Sequence, residues 1–192
     1  MSKFLTLKEL EKIGFNKIGK NCKISKSITT HNLIGSLGDN VRIDDDVQLK
    51  GKIELKSGAH IARGCTLTAG KSGIVIGELS ALANYVQIYS SSDDYYYPSI
   101  PIATLNEKMR KKFSKVYNKK IIIGKCCLVG TFSVLLPGAN LGDFSSVAAL
   151  TIVNKKINKG IFLIQSKTKE LKKKRDLKLF EKKYLDYKKL NK

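Results

Sequence analysis

The stretch Ile123-Gly124-Lys125-Cys126-Cys127-Leu128-Val129-Gly130-Thr131-Phe132-Ser133-Val134-Leu135-Leu136-Pro137-Gly138-Ala139-Asn140-Leu141-Gly142 decides the fold. An aliphatic residue recurs at every sixth place: Ile123, Val129, Leu135, Leu141, then Val147 and Val153. Working back along the chain, Ile76, Leu82 and Ile88 keep the same step, as do Leu37, Ile43, Leu49, Leu55, Ile61 and Leu67. Ile18 and Ile24 read as an irregular first turn of the series. A fixed short period marks an architecture of stacked units. The residue after the aliphatic is often Gly (Gly19, Gly38, Gly77, Gly124, Gly130, Gly142). The residue four places after it is small or β-branched: Cys22, Val41, Val47, Ala59, Cys65, Ser80, Ser133, Ala139, Ser145. Three hexapeptides therefore close one triangular coil. The aliphatic points into the prism and the small residue fits near a corner. Stacked coils make parallel strands about 4.8 Å apart, and each coil buries the core of its neighbour. Helical periodicity fails over 37–88, and simple alternation does not explain a six-residue register. An antiparallel sandwich would need turn signals roughly every 8–12 residues instead.

Two interruptions break the phase. The step from Leu67 to Ile76 is too long, and Ala69-Gly70-Lys71-Ser72-Gly73 supplies a bulge there. The step from Ile88 to Ile123 is far longer, so residues 89–122 loop out, and loops of that length in compact domains usually carry function. Residues 6–13 read as a short helix, with Thr6 and Glu9 as a capping box and Gly14 as its stop. The repeat domain occupies 1–166. The remaining segment, 167–192, reads as a Lys-rich amphipathic helix over 168–190, with Leu177, Phe180, Tyr184 and Tyr187 on one stripe. Such a stripe covers an open solenoid end or a neighbouring subunit.

The chain has 36 Lys and Arg against 16 Asp and Glu, a formal charge of +20. That charge suits nucleic acid or phosphorylated small ligands. Lysines dominate, with clusters over 107–125 and 167–192. Arg, the better reader of bases, stands only at Arg42, Arg63, Arg110 and Arg175. No specific nucleic acid is therefore expected. No apolar run is long enough to span a membrane. The start of the chain lacks an apolar signal region, so a cytoplasmic protein is expected. The four cysteines show no CxxC spacing, and no disulfide scaffold or metal is expected. Cys22, Cys65 and Cys127 share one repeat slot and read as small core residues.

The period-six pattern resembles the bacterial hexapeptide-repeat acyltransferases over about residues 15–166. Several segments are similar to a sugar acetyltransferase subgroup of galactoside and maltose acetyltransferase-like and nucleotide-amino-sugar N-acetyltransferase-like proteins. They are Gly38-Asp39-Asn40-Val41-Arg42-Ile43-Asp44-Asp45, Ile88-Tyr89-Ser90-Ser91-Ser92-Asp93-Asp94-Tyr95, Ile123 through Gly130, Ser133-Val134-Leu135-Leu136-Pro137-Gly138 and Val147-Ala148-Ala149-Leu150. The γ-type carbonic anhydrases share the repeat but need three metal-binding His. This chain has only His31 and His60. The resemblance implies an all-β fold: a left-handed parallel β-helix of hexapeptide repeats with a long loop insertion and a C-terminal α-helix. It also implies a homotrimer that transfers an acetyl group from acetyl-CoA to a hydroxyl or amine of a sugar or nucleotide-sugar, in surface polysaccharide (lipopolysaccharide) biosynthesis. Donor and acceptor would meet in a cleft between adjacent prisms. On the donor side the resemblance implies Gly130, Thr131, Ala148, Ala149, Thr151 and Lys155, with Lys167 and Lys169 toward the phosphates. A solvated face explains these lysines equally well. Residues 163–169 read Leu-Ile-Gln-Ser-Lys-Thr-Lys, where the family usually has Gly-x-Pro-Ala-Lys.

Acyl transfer from a thioester needs a base for the acceptor proton and a donor for the oxyanion. The family's usual His at the start of the long loop is replaced here by Asp93, within the Ser-Asp-Asp-Tyr that some members carry. An exposed Asp with a pKa of about 3.9 is a weak base. His60 is the other candidate, since imidazole is the side chain best suited to proton transfer at neutral pH. It would accept the proton while Asp93 or Asp94 orients the ring or holds the acceptor, with residues drawn from adjacent subunits. A surface or corner role for His60 is the alternative. His31 reads as structural or solvent-exposed. Tyr89, Tyr95, Asp94 and Asp44 are candidates to line the acceptor pocket. The tyrosines read equally as loop anchors, and Asp44, Asp45 and Asp46 as ordinary turn residues. A catalytically silent scaffold or binding protein is the competing function.

Overall fold

The computed structural model describes residues 3–94, 100, 104, 106–164, 169–170, 178, 181–182, 185–186 and 189. The repeat winds into a three-sided parallel β-solenoid of about seven coils. The first face stacks Phe15–Ile18, the end of Thr29–Leu37, the end of Gln48–Leu55, Ile74–Ile76, Ile121–Ile123, Asn140–Leu141 and Lys156–Ile157. The second stacks Lys23–Ile24, Arg42–Ile43, His60–Ile61, Ala81–Leu82, Leu128–Val129, Ser146–Val147 and Phe162–Ile164. The third takes the start of the two long strands, then Thr66–Thr68, Gln87–Tyr89, Val134–Leu135 and Ile152–Val153. Thr29–Leu37 and Gln48–Leu55 run across a corner and join the third face to the first in one sheet.

Every aliphatic in the three period-six runs is buried, and like residues stack in register: Ile43 on Ile61, Ile61 on Leu82, Leu82 on Val129. The small residues of the slot four places on are buried too, with Cys22 partly so. Where that residue is Ser, its hydroxyl answers a turn carbonyl. Ser80 Oγ donates to the Gly124 carbonyl at 2.7 Å, and Ser133 Oγ to that of Ala148 at 2.9 Å. Buried polar groups are thereby satisfied. The Gly after the aliphatic is forced by close stacking. A Cβ on Gly77 would lie 2.3 Å from the Gly124 carbonyl oxygen.

The corners have a rule that the sequence pattern did not reveal. The residue three places after the aliphatic adopts positive φ at Asn40, Asp46, Gly58, Gly64 and Gly138, but equally at Leu79, Tyr85, Cys126, Phe132, Phe144 and Leu150. Left-handed backbone is unusual for bulky residues. Tyr85, Phe132 and Leu150 occupy the same corner of successive coils, between the second and third faces. The rings of Tyr85 and Phe132 stack 5.1 Å apart and nearly parallel. These three remain 44%, 54% and 72% exposed, forming an apolar ridge.

At the N-terminal end, helix α1 (Leu7–Lys12) forms with the expected Thr6–Glu9 capping box, and Gly14 follows it at φ 112°. Its Leu10 enters the core. The bulge over 69–73 is present. The described residues of the insertion over 89–122 include regular elements. Ser91–Asp93 pairs antiparallel with Val116–Asn118, and helix α2 (Glu107–Phe113) starts on an Asn106 cap. After Val153 the core continues through Ile157 and Leu163, with one shortened step that a strict period of six misses. Lys169–Glu170, expected to open the C-terminal helix, instead turns back as a strand against Phe162–Ile164, because the last coil leaves an edge to be paired. Residues 178, 181–182, 185–186 and 189 are helical, and Lys159 pairs with Glu181. The stripe of Leu177, Phe180, Tyr184 and Tyr187 lies outside the described residues. Among the described residues no helix is long and apolar enough to cross a membrane.

Ile61 is fully enclosed, so Ile61→Ala is expected to lower the unfolding free energy by about 2–5 kcal/mol. The exposed change Lys50→Ala is expected to stay within about 0.5 kcal/mol. Denaturant titration of the two variants checks the contrast.

Candidate active site

Two groups of the expected residues emerge on different edges of the prism. The first lies on the second face. His60 sits on the outward side of His60–Ile61, in register with Arg42 of the preceding coil's Arg42–Ile43. His60 Nε2 donates to Asp44 Oδ2 at 2.8 Å, and Arg42 Nε donates to Asp44 Oδ1 at 2.7 Å. The carboxylate can only accept, so Nδ1 is the ring nitrogen left to take a proton. Burial pushes the Asp44 carboxyl up, but the bonds from His60 and Arg42 outweigh it and hold its pKa below the usual value. The rest of the acidic ledge is occupied otherwise. Asp45 binds the Ser25 hydroxyl and Lys3, and Asp46, a left-handed corner residue, pairs with Arg63 at 2.9 Å.

Further along this face, the slot after the aliphatic holds Ala62, Ala83, Gly130 and Ala148, a smooth groove without bulky side chains. Gly130 is required there: a Cβ would lie 2.4 Å from the Ala149 amide nitrogen. Thr131 closes the corner by accepting the Leu150 N–H at 2.9 Å. Gly130 and Thr131 lie next to Ala148 and Ala149 of the following coil, three and four strand spacings, about 14 and 19 Å, from Asp44. Thr151 is fully buried, and its hydroxyl donates to the Ala149 carbonyl at 3.3 Å, so it shapes the turn from inside. Lys155 stands apart, exposed on the corner between the third and first faces. Lys167 lies outside the described residues, and Lys169 is placed only as backbone in its short strand.

The second group gathers where the insertion leaves the third face. Tyr89 ends Gln87–Tyr89 and donates its hydroxyl to Gln87 Oε1 at 2.6 Å. Ser90 then anchors the exit: its hydroxyl accepts the Gly70 N–H at 2.7 Å, and its carbonyl accepts the Lys119 N–H at 3.0 Å. The following hairpin separates the two adjacent acids. Asp93 is exposed. The side chain of Asp94 is only 2% exposed, its amide donates to the Lys115 carbonyl at 3.0 Å, and its Oδ2 lies 3.5 Å from Lys115 Nζ. Tyr95 lies outside the described residues.

Within one chain, then, His60 is oriented by Asp44, and neither Asp93 nor Asp94 is its partner. The pairing of His60 with the loop acids expected from sequence is not made inside a protomer, because the third face stands between them. Lys115 and Arg42 were missed. Lys115 lies at the far end of the insertion and meets Asp94 only through the hairpin; Arg42 stands in the Gly38–Asp45 segment, where the resemblance attached no role to it. Among the described residues no three His, Cys, Asp or Glu are arranged so as to hold a metal ion.

No protein-family model matches the sequence. The chain is 29% identical over 151 residues to a dTDP-4-amino-4,6-dideoxy-D-glucose acyltransferase of Escherichia coli, covering 76% of this chain and 75% of that protein. Its fold superposes on AntD, an N-acyltransferase from Bacillus cereus solved in complex with dTDP and 3-hydroxybutyryl-CoA. The TM-score is 0.88, with 28% identity and full coverage of both chains. A variant of that enzyme, in complex with dTDP-4-amino-4,6-dideoxyglucose and coenzyme A, matches with TM-score 0.85 and 28% identity over 97% of this chain and 99% of the other. A maltose O-acetyltransferase from Clostridium difficile shares the fold at 20% identity and TM-score 0.57, over 88% of this chain and 74% of the other. The solenoid with its inserted hairpin thus matches the left-handed β-helix fold of the acyltransferases. In sequence and fold the chain is similar to an N-acyltransferase and to an acyltransferase of a nucleotide-linked amino sugar.

The Asp44 contacts carry a pH signature. A depressed folded pKa contributes stability above the unfolded value of about 3.9, and that stability is lost as pH falls through the folded value. Asp44→Asn is therefore expected to melt lower than wild type at neutral pH. The gap should begin to close below about pH 4 and vanish once Asp44 is protonated in the folded chain. Melting curves across pH check this.

Proposed function

We propose that this protein transfers an acyl group, acetyl or a short hydroxyacyl, from acyl-CoA to the amine of a nucleotide-linked amino sugar. The observation that carries the reading is the match of the whole chain to an N-acyltransferase whose structure holds dTDP and an acyl-CoA. The split of the candidate residues supports it. The groove at Gly130 and Ala148 and the Asp93–Asp94 hairpin lie on different edges, so a cleft using both is composed by two neighbouring protomers. The exposed ridge of Tyr85, Phe132 and Leu150 offers apolar surface for that contact. The same reading takes the chain as a homotrimer in the cytoplasm, where acyl-CoA and nucleotide-sugars are both at hand, supplying a sugar for surface polysaccharide such as lipopolysaccharide.

Acyl-CoA supplies the activated thioester carbonyl, and Gly130, Thr131, Ala148 and Ala149 line its path with backbone groups and little bulk. Lys155, Lys167 and Lys169 are the candidate cations for its phosphates. The chain's remaining task is to take a proton from the acceptor nitrogen while holding it in line. Asp93, exposed on the hairpin, and Asp94, kept beside the Lys115 ammonium, hold the acceptor amine. Tyr89, Tyr95 and Asp44 border the sugar. His60 Nδ1, with the ring fixed by Asp44, is a proton acceptor on the facing surface.

The test is release of CoA thiol from acetyl-CoA and 3-hydroxybutyryl-CoA with dTDP-4-amino-4,6-dideoxyglucose, against free maltose as control. Turnover is expected with the nucleotide amino sugar alone. Among His60→Ala, Asp93→Asn and Asp94→Asn, the variant lacking the base should lose about 10²–10⁴-fold in kcat. Wild-type rates in all three would remove these residues from the chemistry.

A further inference from the structure

The turn over 69–73 and helix α2 face each other across a cleft of about 660 Å3, backed by the hairpin residues Ser91, Val116 and Asn118. Four cations from three separate elements line it: Lys71 from the turn, Arg110 and Lys111 from α2, and Lys115 from the returning chain. Only two described carboxylates pair with them. Glu107 lies 3.0 Å from Lys111 and 3.9 Å from Lys71, and Asp94 lies 3.5 Å from Lys115. Among the described residues no carboxylate comes within ion-pair distance of Arg110. The cleft is thus net positive among the described residues, with a planar guanidinium that meets no described carboxylate and suits phosphate oxygens. Lys115 belongs to both settings, since it lines the cleft and also contacts Asp94.

We infer that this cleft seats the diphosphate of the acceptor nucleotide, with Arg110 and Lys71 as the specificity-determining cations. The inference rests on the acyl-transfer reading for its choice of ligand. A diphosphate against Arg110 and Lys71 directs its attached sugar toward Lys115 and Asp94, at the base of the same hairpin. The donor CoA also carries a diphosphate. Its candidate groove, however, runs along Gly130 and Ala148, across the third face from this cleft. The basic cluster over 107–125 is thereby assigned to the acceptor and not to the donor.

The test is calorimetric titration of wild type and the double variant Lys71→Ala/Arg110→Ala with dTDP and, separately, with CoA. Both side chains lie outside the core, and melting temperature confirms that the variant is folded. The dTDP dissociation constant is expected to rise about tenfold or more, with CoA affinity unchanged and KM for the nucleotide-sugar raised at retained kcat. Unchanged dTDP affinity in the variant, no dTDP binding by wild type, or weakened CoA binding instead would each overturn the assignment. Absence of thiol release by wild type with every nucleotide-sugar would sink the acyl-transfer reading alone, because the dTDP titration still reports on the cleft.

Discussion

Coil-on-coil stacking governs this molecule. Each coil pairs its backbone with the coil before it and the coil after it, and each inward aliphatic rests on its counterpart one strand spacing away. A hexapeptide has no core of its own; it gains one only from its neighbours. This explains why the aliphatic slot tolerates only Ile, Leu or Val through the three runs, and why the slot after it so often lacks a side chain. At Gly77 the next coil's carbonyl occupies the place a Cβ would take, and at Gly124 the carboxylate and amide of Asp143 do. The ends are the weak points of such a stack. Here the first coil is closed by α1 through Leu10, and the last by the strand Lys169–Glu170.

Much of this was readable because burial acts on every sixth residue with the same demand. Ile43, Ile61, Leu82 and Val129 declare themselves by spacing alone. The corners were not readable, because left-handed backbone at Tyr85, Phe132 and Leu150 is held by the stack and not by residue preference. The shortened step to Ile157 escaped for the same reason: only the paired neighbour Leu141 reveals its register. Inside the insertion there is no period to read. Asp93 and Asp94 are adjacent and chemically alike, yet alternation along the hairpin leaves one in water and carries the other to Lys115. Nothing in the dipeptide itself carries that distinction.

The candidate site follows from the same geometry. A three-sided prism separates what its faces carry. The His60–Asp44 pair and the small-residue groove share the second face. Tyr89, the two hairpin acids and the basic cleft share the opposite edge of the third. Side chains on a rigid prism cannot swing across a face, so residues on separate edges act together only when a second prism brings its edge alongside. The sequence reading joined His60 to the loop acids, and the geometry separates them within a chain. Asp44 takes over the part of orienting the imidazole.

The insertion leaves the stack at Ser90 and rejoins it at Lys119, and those two residues are hydrogen-bonded to each other. The coils above and below are therefore indifferent to what lies between. The excursion behaves as an interchangeable cassette plugged into a fixed socket. Its length, helix and charge can be rewritten over generations without disturbing the scaffold. On the proposed function, the accepted sugar can diversify at one socket while the rest of the stack is inherited intact.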